Sequence, residues 1–338
     1  MSARCVLGTL LALLCAAARA ATGLAELPGL EDDNPVTVFY PSDARATVLK
    51  RGPFSIEAAW QAAPKKGNGR LVVVSHGSGG SPWTYWDLAR ALVEAGFVVA
   101  APLHKGDNFQ DTSQIGPASW RRRPAEVSRA IDDVGKDARF APLLKLDKVG
   151  VYGMSAGGHT ALTLAGGRWA PAGMTRHCEA HISEDFPACA GLATSLKGDV
   201  FDGIRKSITL WVLAWRFSDG AWVGYEDRRV QAVVAGVPYA ADFDMASFAA
   251  PRVPLGLVIA DKDKWLSPKF HAGAVRAACK PCELVAELPT GGHGALLSPF
   301  PPKLSPAAAA LLDDPPGFDR KLLPEVDRRI VDFFRRHL

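Results

Sequence analysis

The sequence predicts an α/β architecture, a mostly parallel central sheet with helices on both faces, and three observations carry that expectation. Residues 71–75, 149–152 and 255–260 are short apolar runs without the polar alternation of a half-exposed strand. Amphipathic stretches long enough for helices, 86–95 and 125–139, lie between such runs. The run at 149–152 feeds a glycine-rich turn, as a strand does where a parallel unit crosses over.

Along the chain, residues 36–40 and 54–60 read as outer strands around a Pro/Gly-bounded turn. From residue 70 strand and helix alternate: strands at 71–75, 97–101 and 149–152, with helices at 86–95 and 125–139 between them. Further strands follow at 232–235, 255–260 and 284–288. Helices are expected at 159–165 and 272–278, and an amphipathic one at 324–336 closes the chain. Two regions break the rhythm. Residues 166–227 are longer than one crossover needs and read as a cap-like excursion over the sheet's upper edge, with the aromatics Trp211, Trp215, Phe217, Trp222 and Tyr225. Residues 298–317, rich in proline, read as an extended surface segment.

A chain of 338 residues, 48% hydrophobic and 22% charged, is long enough to bury a sizeable core as one large domain. Residues 1–20 have the form of a secretory leader: Arg4, an apolar run over 6–18, then Ala18-Arg19-Ala20 with cleavage after Ala20. The run is short for a membrane anchor, and no later stretch approaches a span. The protein is therefore expected in the periplasm or outside the cell, with residues 21–338 as the mature domain. Without Arg4 and Arg19 the 39 Lys and Arg fall to 37 against 35 Asp and Glu, too small an excess to imply a nucleic-acid partner. The composition leaves the oligomeric state open.

Export governs the cysteines. Cys5 and Cys15 leave with the leader, and four remain: Cys178, Cys189, Cys279 and Cys282. An even number in an oxidising compartment points to two disulfides. Proximity joins Cys178 to Cys189 and Cys279 to Cys282, although the sequence permits three pairings. Cys279-Lys-Pro-Cys282 has redox spacing, but it follows a helix and precedes a strand, which favours a staple in a turn. Zinc held by His177, Cys178, His181 and Cys189 is the competing use of that loop, and we expect no metal and no cofactor.

Gly153-Met154-Ser155-Ala156-Gly157 carries the chemistry. A serine on a sharp strand-to-helix turn needs small neighbours, and the turn lifts its hydroxyl above the sheet. Serine is a poor nucleophile until a base takes its proton. His293, between glycines and after the strand at 284–288, is the candidate base. The acid belongs between the two, after a strand. Asp261 and Asp263 both follow 255–260, and Asp263 is preferred because it stands further into the loop. The loop Ser75-His76-Gly77-Ser78-Gly79-Gly80-Ser81 lacks the lysine of a phosphate-binding loop and suits an oxyanion hole, with donors at the N–H groups of Ser78 and Ala156.

The order of these parts resembles the α/β-hydrolase superfamily over residues 36–338. Residues 75–80 with Phe97-Val98-Val99-Ala100-Ala101-Pro102-Leu103-His104 and Arg123-Pro124-Ala125-Glu126-Val127-Ser128 resemble its dienelactone-hydrolase-like group, which shades into the platelet-activating-factor acetylhydrolase type. The resemblance implies about eight strands, no cofactor, and hydrolysis of a small-molecule carboxylic ester through an acyl-enzyme. Dienelactone hydrolase itself uses cysteine where this chain has Ser155, so dienelactone is not the expected substrate. An amidase or peptidase of the same fold, and a binding module without catalysis, are the alternatives. Trp83, Tyr85 and Trp86 read as core or pocket lining.

Overall fold

The apolar runs pair side by side. In the computed structural model, which describes residues 21–338, ten strands form one sheet. They are β1 (Ala21–Leu27), β2 (Val36–Ser42), β3 (Thr47–Arg51), β4 (Phe54–Trp60), β5 (Leu71–Ser75), β6 (Val98–Pro102), β7 (Val149–Met154), β8 (Val230–Gly236), β9 (Leu255–Ala260) and β10 (Glu283–Leu288). Their spatial order is β10-β9-β8-β7-β5-β6-β2-β1-β4-β3. The six strands from β10 to β6 are mutually parallel, whereas β2 is antiparallel to both β6 and β1. The leader expected at residues 1–20 lies outside the described residues.

Nine helices accompany the sheet among the described residues: α1 (Trp86–Glu94), α2 (Pro117–Lys136), α3 (Ala156–Leu164), α4 (Pro171–His181), α5 (Phe186–Ala190), α6 (Asp202–Arg216), α7 (Ala272–Ala278), α8 (Pro306–Leu312) and α9 (Leu323–His337). Strand residues alternate between two cores. Leu71 and Val73 of β5 join Val127 and Ile131 of α2 and Leu162 of α3 on one face. Val72 and Val74 join Leu88 and Leu92 of α1 and Ile330 and Phe334 of α9 on the other. Each such side chain contributes about 1.5–3 kcal/mol by leaving water. Because both faces are covered, the parallel strands read as continuous apolar runs.

The sheet has two strands more than the eight implied. β1 begins at the first described residue, directly behind the expected leader, and β3 is an edge strand with mostly exposed side chains. Helix α2 starts eight residues before the expected 125 and carries Pro124 inside it. A proline there has no N–H to give to the preceding turn, which is why the sequence suggested a start after it. The segment 298–317 is not simply extended. Pro306 opens α8, Ser305 caps it by accepting from the Ala308 N–H at 3.2 Å, and the segment packs on the loop after β10.

The excursion after α3 holds α4, α5 and α6. Its ends are pinned together where Trp169 bridges both Val223 and Phe243. The aromatics of this region do not form one cluster: Phe217 is buried, whereas Trp211, Trp215 and Trp222 are exposed. Cys178 is bonded to Cys189 between α4 and α5, and Cys279 to Cys282 in the turn from α7 to β10. With its sulfurs in a disulfide, the Cys178 loop offers no thiolate to a metal. His177 instead hydrogen-bonds Asp185, at 2.7 Å.

Candidate active site

β5 and β7 are neighbours, while β6 lies on the far side of β5, so the order in which successive strands join the sheet reverses at this point although all three run parallel. The loops after β5 and β7 therefore open a crevice at the carboxyl ends of the strands. One is the glycine-rich loop 76–80, the other the turn at Ser155.

Ser155 has φ 58° and ψ −118°, a strained conformation for a residue with a side chain. The turn is held by close backbone approach. A Cβ on Gly157 would stand 1.9 Å from the Ser75 carbonyl oxygen, and one on Gly153 would stand 1.9 Å from that of Gly157. The Ser155 N–H donates to the Gly236 carbonyl at 3.1 Å, and its carbonyl accepts from the Tyr239 N–H at 3.2 Å, so the end of β8 and the loop after it fix the Ser155 backbone.

The loop after β10 brings His293 to the same place. Its Nε2 is 3.0 Å from the Ser155 hydroxyl and its Nδ1 2.8 Å from Asp263 Oδ2, while Asp263 Oδ1 accepts from the N–H groups of Trp265 and Leu266 at 2.9 and 2.8 Å. The carboxylate is buried and fully used, which leaves one consistent arrangement: Nδ1–H donates to Asp263 and Nε2 accepts from Ser155. Asp261, exposed two residues earlier, takes no part. The histidine loop leans on the segment 298–317, which the sequence presented as an extended surface stretch. A Cβ on Gly294 would meet the Leu312 carbonyl at 2.1 Å, and Arg320 donates to the carbonyls of Leu297 and Gly294 at 2.6 and 3.2 Å.

The loop 76–80 lies against Ser155, since a Cβ at Gly77 would be 3.8 Å from its Oγ. Three of its amides are engaged: Gly77 donates to the Tyr85 hydroxyl at 3.3 Å, Gly79 to Asp107 at 3.0 Å and Gly80 to the Gly77 carbonyl at 3.1 Å. The Ser78 amide has no partner among the described residues. Neither has that of Ala156, the first residue of α3, where helix geometry leaves the opening N–H groups free. These are the two amides expected to serve as donors.

Beneath the loop is a buried polar shell that the motifs did not reveal. His76 accepts at Nε2 from the His104 N–H at 3.1 Å and donates from Nδ1 to the Gly77 carbonyl at 2.7 Å. His104 accepts at Nε2 from the Ser75 hydroxyl at 2.8 Å and gives its Nδ1–H to Glu126. Burial pushes both imidazoles well below the ordinary histidine range, and it pushes the Glu126 carboxyl up. Arg123 and Asp107 are both 0% exposed, and they pair at 2.8 Å. A signal for this shell existed, because Arg123 falls on the apolar side of α2 in line with Val127 and Ile131.

Among the aromatics, Trp83, Tyr85 and Trp86 are core, and Tyr85 also accepts from the Gly77 N–H of the loop 76–80. Trp120 stacks on Tyr239 at 4.9 Å beside Ser155, with Phe217 at the end of α6 packed 6.4 Å from Trp120, so the excursion reaches the rim of the site. No helix among the described residues is long and apolar enough to cross a membrane.

Comparison with known proteins places this geometry. Residues 71–325, the greater part of the chain, match the model of a family described as the alpha/beta hydrolase family. No curated protein matches the sequence. Among solved structures a ferulic acid esterase from Streptomyces cinnamoneus is similar, at 17% identity and a TM-score of 0.58, over 95% of this chain and 91% of that one. At that identity the likeness speaks for the fold.

Proposed function

The chain belongs to the alpha/beta hydrolase family, and on that premise we propose that it is an exported serine hydrolase that cleaves carboxylic esters through an acyl-enzyme. The observation that carries the proposal is the continuous line of hydrogen bonds from Asp263 through His293 to Ser155, at 2.8 and 3.0 Å. The similar solved structure is a ferulic acid esterase, which puts carboxylic esters first among substrates to try. The two disulfides and the leader-like residues 1–20 support export. Residues 166–227 would act as the cap that bounds the substrate site.

In this mechanism Ser155 Oγ attacks the ester carbonyl as His293 Nε2 accepts its proton. The carbonyl oxygen becomes an oxyanion and rests on the N–H groups of Ser78 and Ala156. Asp263 stabilises the imidazolium and holds its tautomer. The C–O bond to the alcohol breaks as His293 returns the proton to the leaving oxygen, giving the acyl-enzyme. Water then gives a proton to the same nitrogen as it attacks the acyl carbon, and the acyl C–Oγ bond breaks as His293 returns that proton to Ser155, releasing the acid. Acylation and deacylation each open with His293 neutral and accepting a proton, and each closes with that proton returned to the departing oxygen.

Fluorophosphonate treatment followed by peptide mapping should label Ser155. Ser155→Ala should lower turnover of short p-nitrophenyl esters by at least about 10³-fold. Labelling elsewhere, or an alanine variant as active as the parent, overturns the proposal. Faster cleavage of the matched p-nitroanilides would make the enzyme an amidase.

A further inference from the structure

We propose that Arg123, held by Asp107, is a positioning residue that sets the oxyanion hole by fixing two peptide planes of the loop 76–80. The inference rests on the serine-hydrolase function proposed above.

The guanidinium donates to the His76 carbonyl, to the Gly77 carbonyl at 3.5 Å and to the Asp107 carbonyl at 3.1 Å, while Nε donates to Ser119 Oγ at 3.0 Å. The Gly77 carbonyl also accepts from His76 Nδ1 at 2.7 Å and from the Gly80 N–H at 3.1 Å. Three donors thus draw this oxygen inward. In a planar trans peptide the N–H points opposite to the C=O it is joined to. Pulling the Gly77 oxygen down therefore turns the Ser78 N–H up, away from the guanidinium and into the crevice.

Asp107 does the complementary work. It takes the Gly79 N–H at 3.0 Å and the Ser78 hydroxyl at 3.2 Å. Both would otherwise compete for the oxyanion or swing the loop, and with them occupied the Ser78 amide is left without a partner among the described residues. A lysine could supply the charge but not a planar fork reaching two successive carbonyls. Such an ion pair, fully removed from water, adds little stability over apolar packing of the same shape. Its geometric return lies in the loop it holds.

The test compares folded variants. Asp107→Asn keeps the shape but releases the charge and part of the acceptor set, and Arg123→Lys keeps the charge but loses the fork. We expect kcat for p-nitrophenyl esters to fall about 10- to 100-fold with KM within about two-fold, since a misplaced oxyanion donor acts on the transition state. The inhibition constant of a trifluoromethyl ketone, whose adduct carries an oxyanion, should rise in parallel with the loss of kcat/KM. Circular dichroism and melting verify folding. Where neither variant folds, Ser119→Ala keeps both charges and deletes only the hydroxyl between them, and a several-fold loss of kcat is expected. Wild-type kcat and ketone affinity in the folded variants overturn the proposal. Failure of the wild-type protein to label at Ser155 defeats the proposed function instead.

Discussion

Beneath the loop 76–80 every buried side-chain polar atom has a protein partner, whereas on the other flank of Ser155 several do not. His159 Nδ1, Trp169 Nε1, the Tyr239 hydroxyl, Asp242 Oδ1 and Asp185 Oδ1 are buried without one among the described residues. The contrast extends outward. Helix α6 turns Ile204, Ile208, Trp211 and Trp215 to solvent, with the two tryptophans 71% and 76% exposed, while the loop side ends in the fully buried Arg123 and Asp107. One flank is built to hold an atom in place, since a closed polar network has few alternative arrangements. The other is built of separable pieces, namely a disulfide, a pair of pinned ends and a helix whose outer face is open to water among the described residues. The first flank is the more closely held, and the second is the more open.

The sharpest way to break that contrast is to remove a charge from the closed side. Arg123→Ala leaves Asp107 buried and unpaired, and should cost about 3–5 kcal/mol of stability in urea titration. A cost under about 1 kcal/mol would mean that the network relaxes easily, and the two flanks would then not differ in rigidity.

How much of this was legible beforehand follows the same division. Ser155, His293 and Asp263 stand on turns after strands whose apolar runs are plain in the sequence, and the structure brings the three side chains within hydrogen-bond reach. β4, β5, β9 and α7 have the expected limits, because those segments are either wholly buried or strictly patterned. The polar shell was hidden. Asp107, Ser119 and Glu126 are ordinary surface residue types, and only the fold places Ser119 against Asp107, 12 positions away, and Glu126 against His104, 22 positions away. The path of 298–317 was obscured for a related reason. Its prolines announce breaks, but its role in backing the histidine loop depends on Leu312 and Pro315 meeting Gly294 and Gly292.

Acid offers a second, milder probe of the closed side. Burial, with His104 and Arg123 close by, keeps His76 neutral in the folded protein to well below the ordinary histidine pKa. The unfolded chain protonates His76 near pH 6.5, so below that pH the unfolded state binds the extra proton and stability falls as pH falls. The slope from this residue alone is about 1.4 kcal/mol per pH unit. His104 adds less, because the raised Glu126 beside it takes up a proton early and offsets the loss. His76→Gln should flatten the measured slope by that amount. An unchanged slope would mean that water reaches the shell.

The smallest effect belongs to α6. Ile208 lies in the middle of its exposed stripe, 58% accessible, so Ile208→Asn touches the smaller part of its surface that folding takes from water. It should alter stability by no more than about 0.5 kcal/mol and leave kcat on short esters unchanged. A loss above about 1.5 kcal/mol would mean that this face is covered when the protein is in solution. The comparison would then invert: the open flank would be as tightly packed as the closed one, with its partner groups supplied from outside the chain.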